Sequence, residues 1–266
     1  MHEIIAQGPQ RPVIIKKNAF VPPAISESPK NRPQNRQAQK TFYNLPAAGF
    51  TANRLLAAQT EKCRTALLPF LESVTLASGE RIYAPGETID YIYFPETAII
   101  SEYHILEDGK TAEVAMIGSE NAAGLVPMIG ARRAASWAKV SVKGRAFRIK
   151  SEVLKNHFTA DESVLKSVMR GVEEYVAQIS QRAVCRSFHT LEERFCCWLL
   201  MVGNRTGAVR FAITQEQIAE LMGVHRPSLT HIAQELKRVK AVSYVRGGIV
   251  ILDRAELRRR SCNCCE

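Results

Sequence analysis

The spacing of apolar residues changes several times along the 266-residue chain, and each change predicts a different kind of structure. Over residues 53 to 71, Leu55, Leu56, Leu67, Leu68, Phe70 and Leu71 supply the buried faces of short helices, with a bend at Pro69. From Val74 onward, short β-favouring stretches are cut by Gly79, Pro85-Gly86 and Asp108-Gly109. Residues 99–106, 111–117, 138–142 and 146–149 continue the strands. Such regular punctuation predicts an antiparallel β-roll or jelly roll.

Between residues 151 and 187 the period becomes helical. Leu165, Val168, Val172, Tyr175 and Ile179 are spaced 3-4-3-4, the seam of a heptad repeat, with Gly171 beside it. A seam on the sole connection between two domains predicts a parallel dimer helix, and these five residues are the expected dimer interface. Thr190 and Glu193 then have the spacing of a capping box, in which the hydroxyl and the carboxylate satisfy each other's free backbone N–H groups. Leu191, Phe195, Trp198, Leu199 and Val202 line one face of the helix that follows, and Gly203 and Gly207 mark its exit.

Thr214 and Gln217 form a second capping box, and the next helix buries Ile218, Ala219, Leu221 and Met222. Gly223 supplies the freedom for a tight turn. Another helix starts near Arg226, with Pro227 in a first turn whose N–H groups need no helical acceptor. Leu229, Ile232, Ala233 and Leu236 are its buried stripe. Arg226, Ser228, Thr230, His231, Gln234, Lys237 and Arg238 face the other way and offer donors to phosphates and base edges. Residues 241–252 are two β-favouring runs around Gly247-Gly248, a hairpin. Helix, turn, polar-faced helix and hairpin in this order make a winged helix-turn-helix.

Charge and composition sharpen this picture. Lys and Arg total 36 against 26 Asp and Glu, a formal net charge of +10 that favours an acidic partner. Residues 1–48 hold seven of the twelve prolines and a basic excess, and are read as a disordered basic, Pro-rich arm. No apolar run is long enough to span a bilayer, and the N-terminus lacks the apolar stretch of a secretory signal. Seven cysteines, two pairs of them adjacent, argue against a disulfide framework and for a reducing cytoplasm. No catalytic triad, phosphate loop or paired acids can be assembled, and His104 stands alone among the strands, so no enzyme is expected. Thiolates as close as Cys262, Cys264 and Cys265 could bind a soft metal, but a terminal tail without nearby histidines is read as inert or incidentally oxidisable, and Cys196 and Cys197 as core or boundary residues.

The ordered set resembles the Crp/Fnr family of bacterial regulators over about residues 50 to 260. The best local matches are residues 79–87 in the roll and 214–235 in the reader. The resemblance implies an α+β fold: an antiparallel β-roll like a cyclic-nucleotide-binding domain, a long dimerisation helix, and a winged helix-turn-helix. The expected boundaries are 1–48 for the arm, 49–160 for the roll, 161–189 for the helix and 190–266 for the DNA-binding domain. It implies a homodimer on palindromic double-stranded DNA, RNA polymerase as a further partner and no membrane. Arg226 falls where the family has a guanine-reading arginine. Pro227 and His231 fall where well-studied members carry a glutamate and a second arginine, so the site preference should differ. The expected DNA-contacting residues are Arg226, Pro227, Ser228, Thr230, His231, Lys237 and Arg238.

The family's cyclic-nucleotide cassette is not reproduced. Glu120 has no leucine after it, and the Arg-Ser pair is replaced around Arg132 and Arg133. The iron–sulfur branch needs an N-terminal cysteine cluster, and Cys63 is the only cysteine before Cys185. No cofactor and no metal are expected, and the effector is left open. The alternative from another class is a β-roll signalling or effector-binding protein whose helical end makes protein contacts. Arg226 at the head of a capped second helix, followed by a Gly-Gly wing, favours the DNA reading.

Overall fold

The computed structural model describes residues 52–130, 133–262 and 264. The readings of the arm, of Arg132 and of Cys265 lie outside the described residues.

Helices α1 (Arg54–Ala57) and α2 (Glu61–Leu67) open the chain, followed by a single 3-10 turn, Leu68–Phe70, at Pro69. Two antiparallel sheets then form the roll. Strands β1 (Glu72–Leu76), β7 (Gly144–Lys150) and β3 (Tyr91–Pro95) make one, in that order. Strands β2 (Arg81–Tyr83), β6 (Trp137–Val142), β4 (Ile99–Ile105) and β5 (Thr111–Ile117) make the other. A short helix, α3 (Leu125–Ile129), interrupts the strands between β5 and β6.

Neighbouring Ile99 and Ile100 are both fully buried, as are Ala115 and Met116. Adjacent strand residues point to opposite faces, so this sheet is covered on both sides. Ile100 and Ile117 belong to the roll's own core, with Ile92, Phe147 and Leu56. Ile99, Met116 and Val142 belong to a second core, shared with the helices that follow the roll. That double coverage also buries the polar residues Ser101, Glu102 and Glu113 among the apolar ones.

Helix α4 (Ser151–Ala160) leads into α5 (Glu162–Phe188), a 27-residue helix N-capped by Asp161. Its first half lies against the roll at Gly171. A Cβ there would come within 2.9 Å of Asn121 Oδ1 and 3.0 Å of Leu125 Cδ1. The Asn121 side chain also donates to the Gly171 carbonyl at 2.8 Å. The glycine therefore costs some helix propensity but permits close approach.

Helix α6 (Leu191–Thr206) begins at the Thr190–Glu193 capping box and ends at left-handed Gly207, with Gly203 inside it. Strand β8 (Arg210–Phe211), α7 (Gln215–Met222), α8 (Arg226–Arg238), β9 (Val242–Val245), β10 (Gly248–Ile251) and α9 (Arg254–Arg260) complete the described chain. The C-terminal sheet has the order β8-β10-β9. Among the described residues, no helix is long and apolar enough to cross a membrane.

Candidate nucleic-acid interface

The reader is built by two helices and their joint. Both halves of the Thr214–Gln217 capping box are formed, which fixes where α7 starts. Gly223 ends it at φ +66°, the left-handed conformation that glycine adopts without a Cβ clash. Helix α8 buries Leu229, Ala233 and Leu236, with Ile232 half-buried. That stripe packs the helix against α7 and β9 and leaves its opposite face to solvent.

Arg226, Pro227, Ser228, His231, Lys237 and Arg238 are all exposed on α8, as are His225 and Gln234. Arg226 stands in the first turn. Its only ion pair among the described residues is a loose one, 3.8 Å to Glu216, and its side chain is 63% exposed. Arg238 is held by Glu235, with hydrogen bonds of 3.0 and 2.8 Å. Those bonds keep the exposed Glu235 carboxyl below its ordinary range. Thr230 departs from the sequence reading. It is half-buried, and its hydroxyl donates to Gln215 Oε1 at 3.1 Å, bracing α8 against α7.

The hairpin turn is Arg246-Gly247, with Gly247 at φ +69°, while Gly248 already pairs with Val245 in the ladder. The turn carries the exposed Arg246, a cation at the wing tip that the sequence reading passed over. A lone arginine beside a glycine is a common turn composition, so only the fold marks it.

The long helix divides the predicted seam. Val168 is 3% exposed and packs into the roll's core with Val172 and Tyr175 beside it. Ile179 is half-buried and Leu165 exposed. The uncovered apolar residues of α5 are Leu165, Met169, Val176, Val184 and Phe188, the last 81% exposed. A 3-4 seam cannot say which neighbour covers it. Here the roll takes Val168 and Tyr175, and the free stripe lies to one side of them.

Between the roll and α5, Glu102 accepts hydrogen bonds from Tyr175 Oη at 2.5 Å, from Ser136 Oγ at 3.1 Å and from Tyr83 Oη. Burial, then the Glu102 charge, raises the pKa of both tyrosines. The space left between Glu102, Gly124, Gly171 and Tyr175 is about 10 Å³. Ligand pockets run to roughly 300–1,000 Å³. Glu120 does not face this interior either. It pairs with Arg205 of α6 at 3.0 Å.

A larger cavity, about 920 Å³, lies between the roll, α5 and α6, with Arg54, Arg182, Arg186, Arg194 and Arg205 in its wall. Glu113 of β5 is buried beside it and binds three elements. It pairs with Arg182 of α5 at 2.5 Å and accepts from Trp198 Nε1 of α6 at 3.3 Å and from Ser101 of β4.

A β-roll, a long helix and a winged helix-turn-helix on one chain define a two-part regulator, with a sensor fold joined to a DNA reader. Residues 73–161 match the family model for a cyclic nucleotide-binding domain, and residues 193–260 match that for a Crp-like helix-turn-helix domain. The chain belongs to the Crp/Fnr family of transcription regulators. Its fold is similar to that of FixK2 from Bradyrhizobium japonicum, at TM-score 0.62 and 17% identity, over 72% of this chain and 98% of that one. It is also similar to a CRP-family transcriptional regulator from Thermus thermophilus, at TM-score 0.60 and 18% identity, over 71% and 96%. A third is the c-di-GMP-responsive global regulator CLP of Xanthomonas campestris, at TM-score 0.58 and 13% identity, over 73% and 100%. No curated protein sequence matches the chain.

Proposed function

We propose that this regulator works as a cytoplasmic homodimer on palindromic double-stranded DNA, with α8 in the major groove, and contacts RNA polymerase from that site. It performs no catalysis. The observation that carries the reading is the exposed, donor-rich face of α8, headed by a loosely held Arg226. In a two-fold dimer the two copies of α8 read half-sites about one helical turn, roughly 34 Å, apart. Arg226 reads a guanine, with Pro227, Ser228 and His231 near base edges. Lys237, Arg238 and the wing-tip Arg246 meet phosphates, and Thr230 acts by holding the helix.

Arg226→Ala is expected to weaken binding of the dimer to the specific duplex by about 30- to 10⁴-fold, the loss of one bidentate contact of roughly 1–3 kcal/mol in each half-site. Random duplex should be bound almost as before. The test is fluorescence anisotropy on both duplexes across a salt series. Equal losses on both would make Arg226 a phosphate anchor, and no loss on either would sink the reading.

The sensor fold does not take a cyclic nucleotide in the roll. Glu102, Tyr83 and Tyr175 fill the space between the strands and α5, and a carboxylate there repels a cyclic phosphate. Calorimetry with cyclic AMP is expected to give no saturable heat at micromolar concentrations. Stoichiometric binding would overturn this assignment.

A further inference from the structure

Four soft-metal donors, far apart in sequence, meet at the joint between α5 and α6. Cys185 lies in the last turn of α5, and His189, four residues on, is its C-cap. Cys262 and Cys264 follow α9 at the other end of the DNA-binding domain. One donor atom from each of the four lies within 4.8 Å of every other, and Cys264 Sγ is 3.5 Å from His189 Nε2. No disulfide joins the described cysteines.

The approach of the tail is built in. Arg260 of α9 pairs with Glu192 of α6 at 2.6 Å, and the Cys262 N–H donates to the Glu193 carbonyl at 3.4 Å. These bonds turn the chain back toward the end of α5. We propose that Cys185, His189, Cys262 and Cys264 bind one tetrahedral, thiophilic divalent ion of the zinc class, which clasps the C-terminal tail to the α5–α6 joint.

The donor set decides the ion. Three thiolates and one imidazole are a Cys3His set, the kind that closes structural zinc sites. Around a zinc ion with Zn–S of about 2.3 Å and Zn–N of about 2.0 Å, donor atoms lie roughly 3.3–3.8 Å apart. Separations within 4.8 Å reach that by side-chain adjustment. An iron–sulfur cluster, whose thiolates ligate several irons around a sulfide core, needs them farther apart. Three thiolates outweigh one divalent cation, and the surroundings answer that charge. Arg186 and Arg194 line the same cavity as Cys185, Cys262 and Cys264. Arg194 Nε is buried there without a hydrogen-bond partner among the described residues. The cavity also gives the ion a way in.

The test is titration of the reduced, metal-free full chain with cobalt(II), which reports tetrahedral thiolate ligation by its visible ligand-field bands. One equivalent is expected to saturate those bands, and zinc to displace the cobalt. Cys185→Ser and Cys262→Ser should abolish the bands. His189→Ala should shift them and weaken binding at least tenfold. His104→Ala and Cys63→Ser, outside the donor set, should leave the titration unchanged, with circular dichroism confirming that each variant folds. The proposal is overturned if the parent shows no tetrahedral cobalt signal, if His189→Ala titrates like the parent, or if the purified protein carries acid-labile sulfide.

Discussion

Arg182→Met is expected to lower the unfolding free energy by about 3–5 kcal/mol, the usual consequence of leaving one charge of a buried pair alone. Glu113 is 1% exposed, and Arg182 is the one residue ion-paired with it among the described residues, with Arg186 and Arg205 acting on it from farther off. Without the guanidinium, the carboxylate retains only the Ser101 hydroxyl and the Trp198 indole N–H. Two neutral donors do not replace the hydration that burial removed. The comparison that isolates this effect is the double variant Glu113→Gln, Arg182→Met, which removes both charges and should recover much of the loss. Denaturant unfolding followed by far-UV circular dichroism measures all three. An Arg182→Met loss under 1 kcal/mol would mean that water reaches Glu113. A double variant no better than the single would mean that packing, not charge, fixes this point.

The same node bears on how the molecule responds as a whole. Glu113 ties β5 of the roll to α5 and to α6, and Ile99 and Met116 of the roll lie in the reader's core. Packed side chains and the Glu113 node thus join the roll directly to α6. Arg182→Met should weaken that connection as well as the fold.

Local patterns were legible wherever a short stretch of sequence determines its own geometry. Thr190 with Glu193 and Thr214 with Gln217 are capping boxes whose two hydrogen bonds close within four residues, and both form. The buried stripe of α8 follows from helical period alone. Sequence reached less far where a distant partner decides. Thr230 has the polarity of a DNA contact, yet Gln215, on a different helix, claims its hydroxyl. Tyr175 looks like a seam residue, yet its hydroxyl meets Glu102 on β4. The tail cysteines were read as lacking a histidine because His189 is more than seventy positions away. Only the return of α9 onto α6 brings the two together. A Cys–x3–His spacing at the end of a long helix was the signal available in sequence.

Val176→Asp is expected to convert the protein to monomers and to lower its affinity for a palindromic site by about 10²–10⁴, the avidity lost when two linked readers become one. The argument starts from what α5 leaves uncovered. Leu165, Met169 and Val176 are spaced four and seven residues apart, so they stand on one stripe of the helix. Val176 is 54% exposed, and Phe188 near the helix end is freer still. In the proposed dimer a parallel partner helix on the two-fold axis would cover this stripe while the roll keeps Val168 and Tyr175. An aspartate at position 176 would then meet its own copy across the axis, two like charges drawn out of water. In the monomer the same aspartate faces solvent, so the fold should survive. That contrast separates it from Val168→Asp, which would put a charge into the roll's core and unfold it. Lys166→Ala changes an exposed residue paired with Glu162 and should leave the dimer intact. Sedimentation equilibrium and anisotropy on one- and two-half-site duplexes supply the readouts. A Val176→Asp protein that still sediments as two chains would place the dimer interface elsewhere. One that becomes monomeric but keeps full affinity for the two-half-site duplex would show that DNA itself assembles the pair.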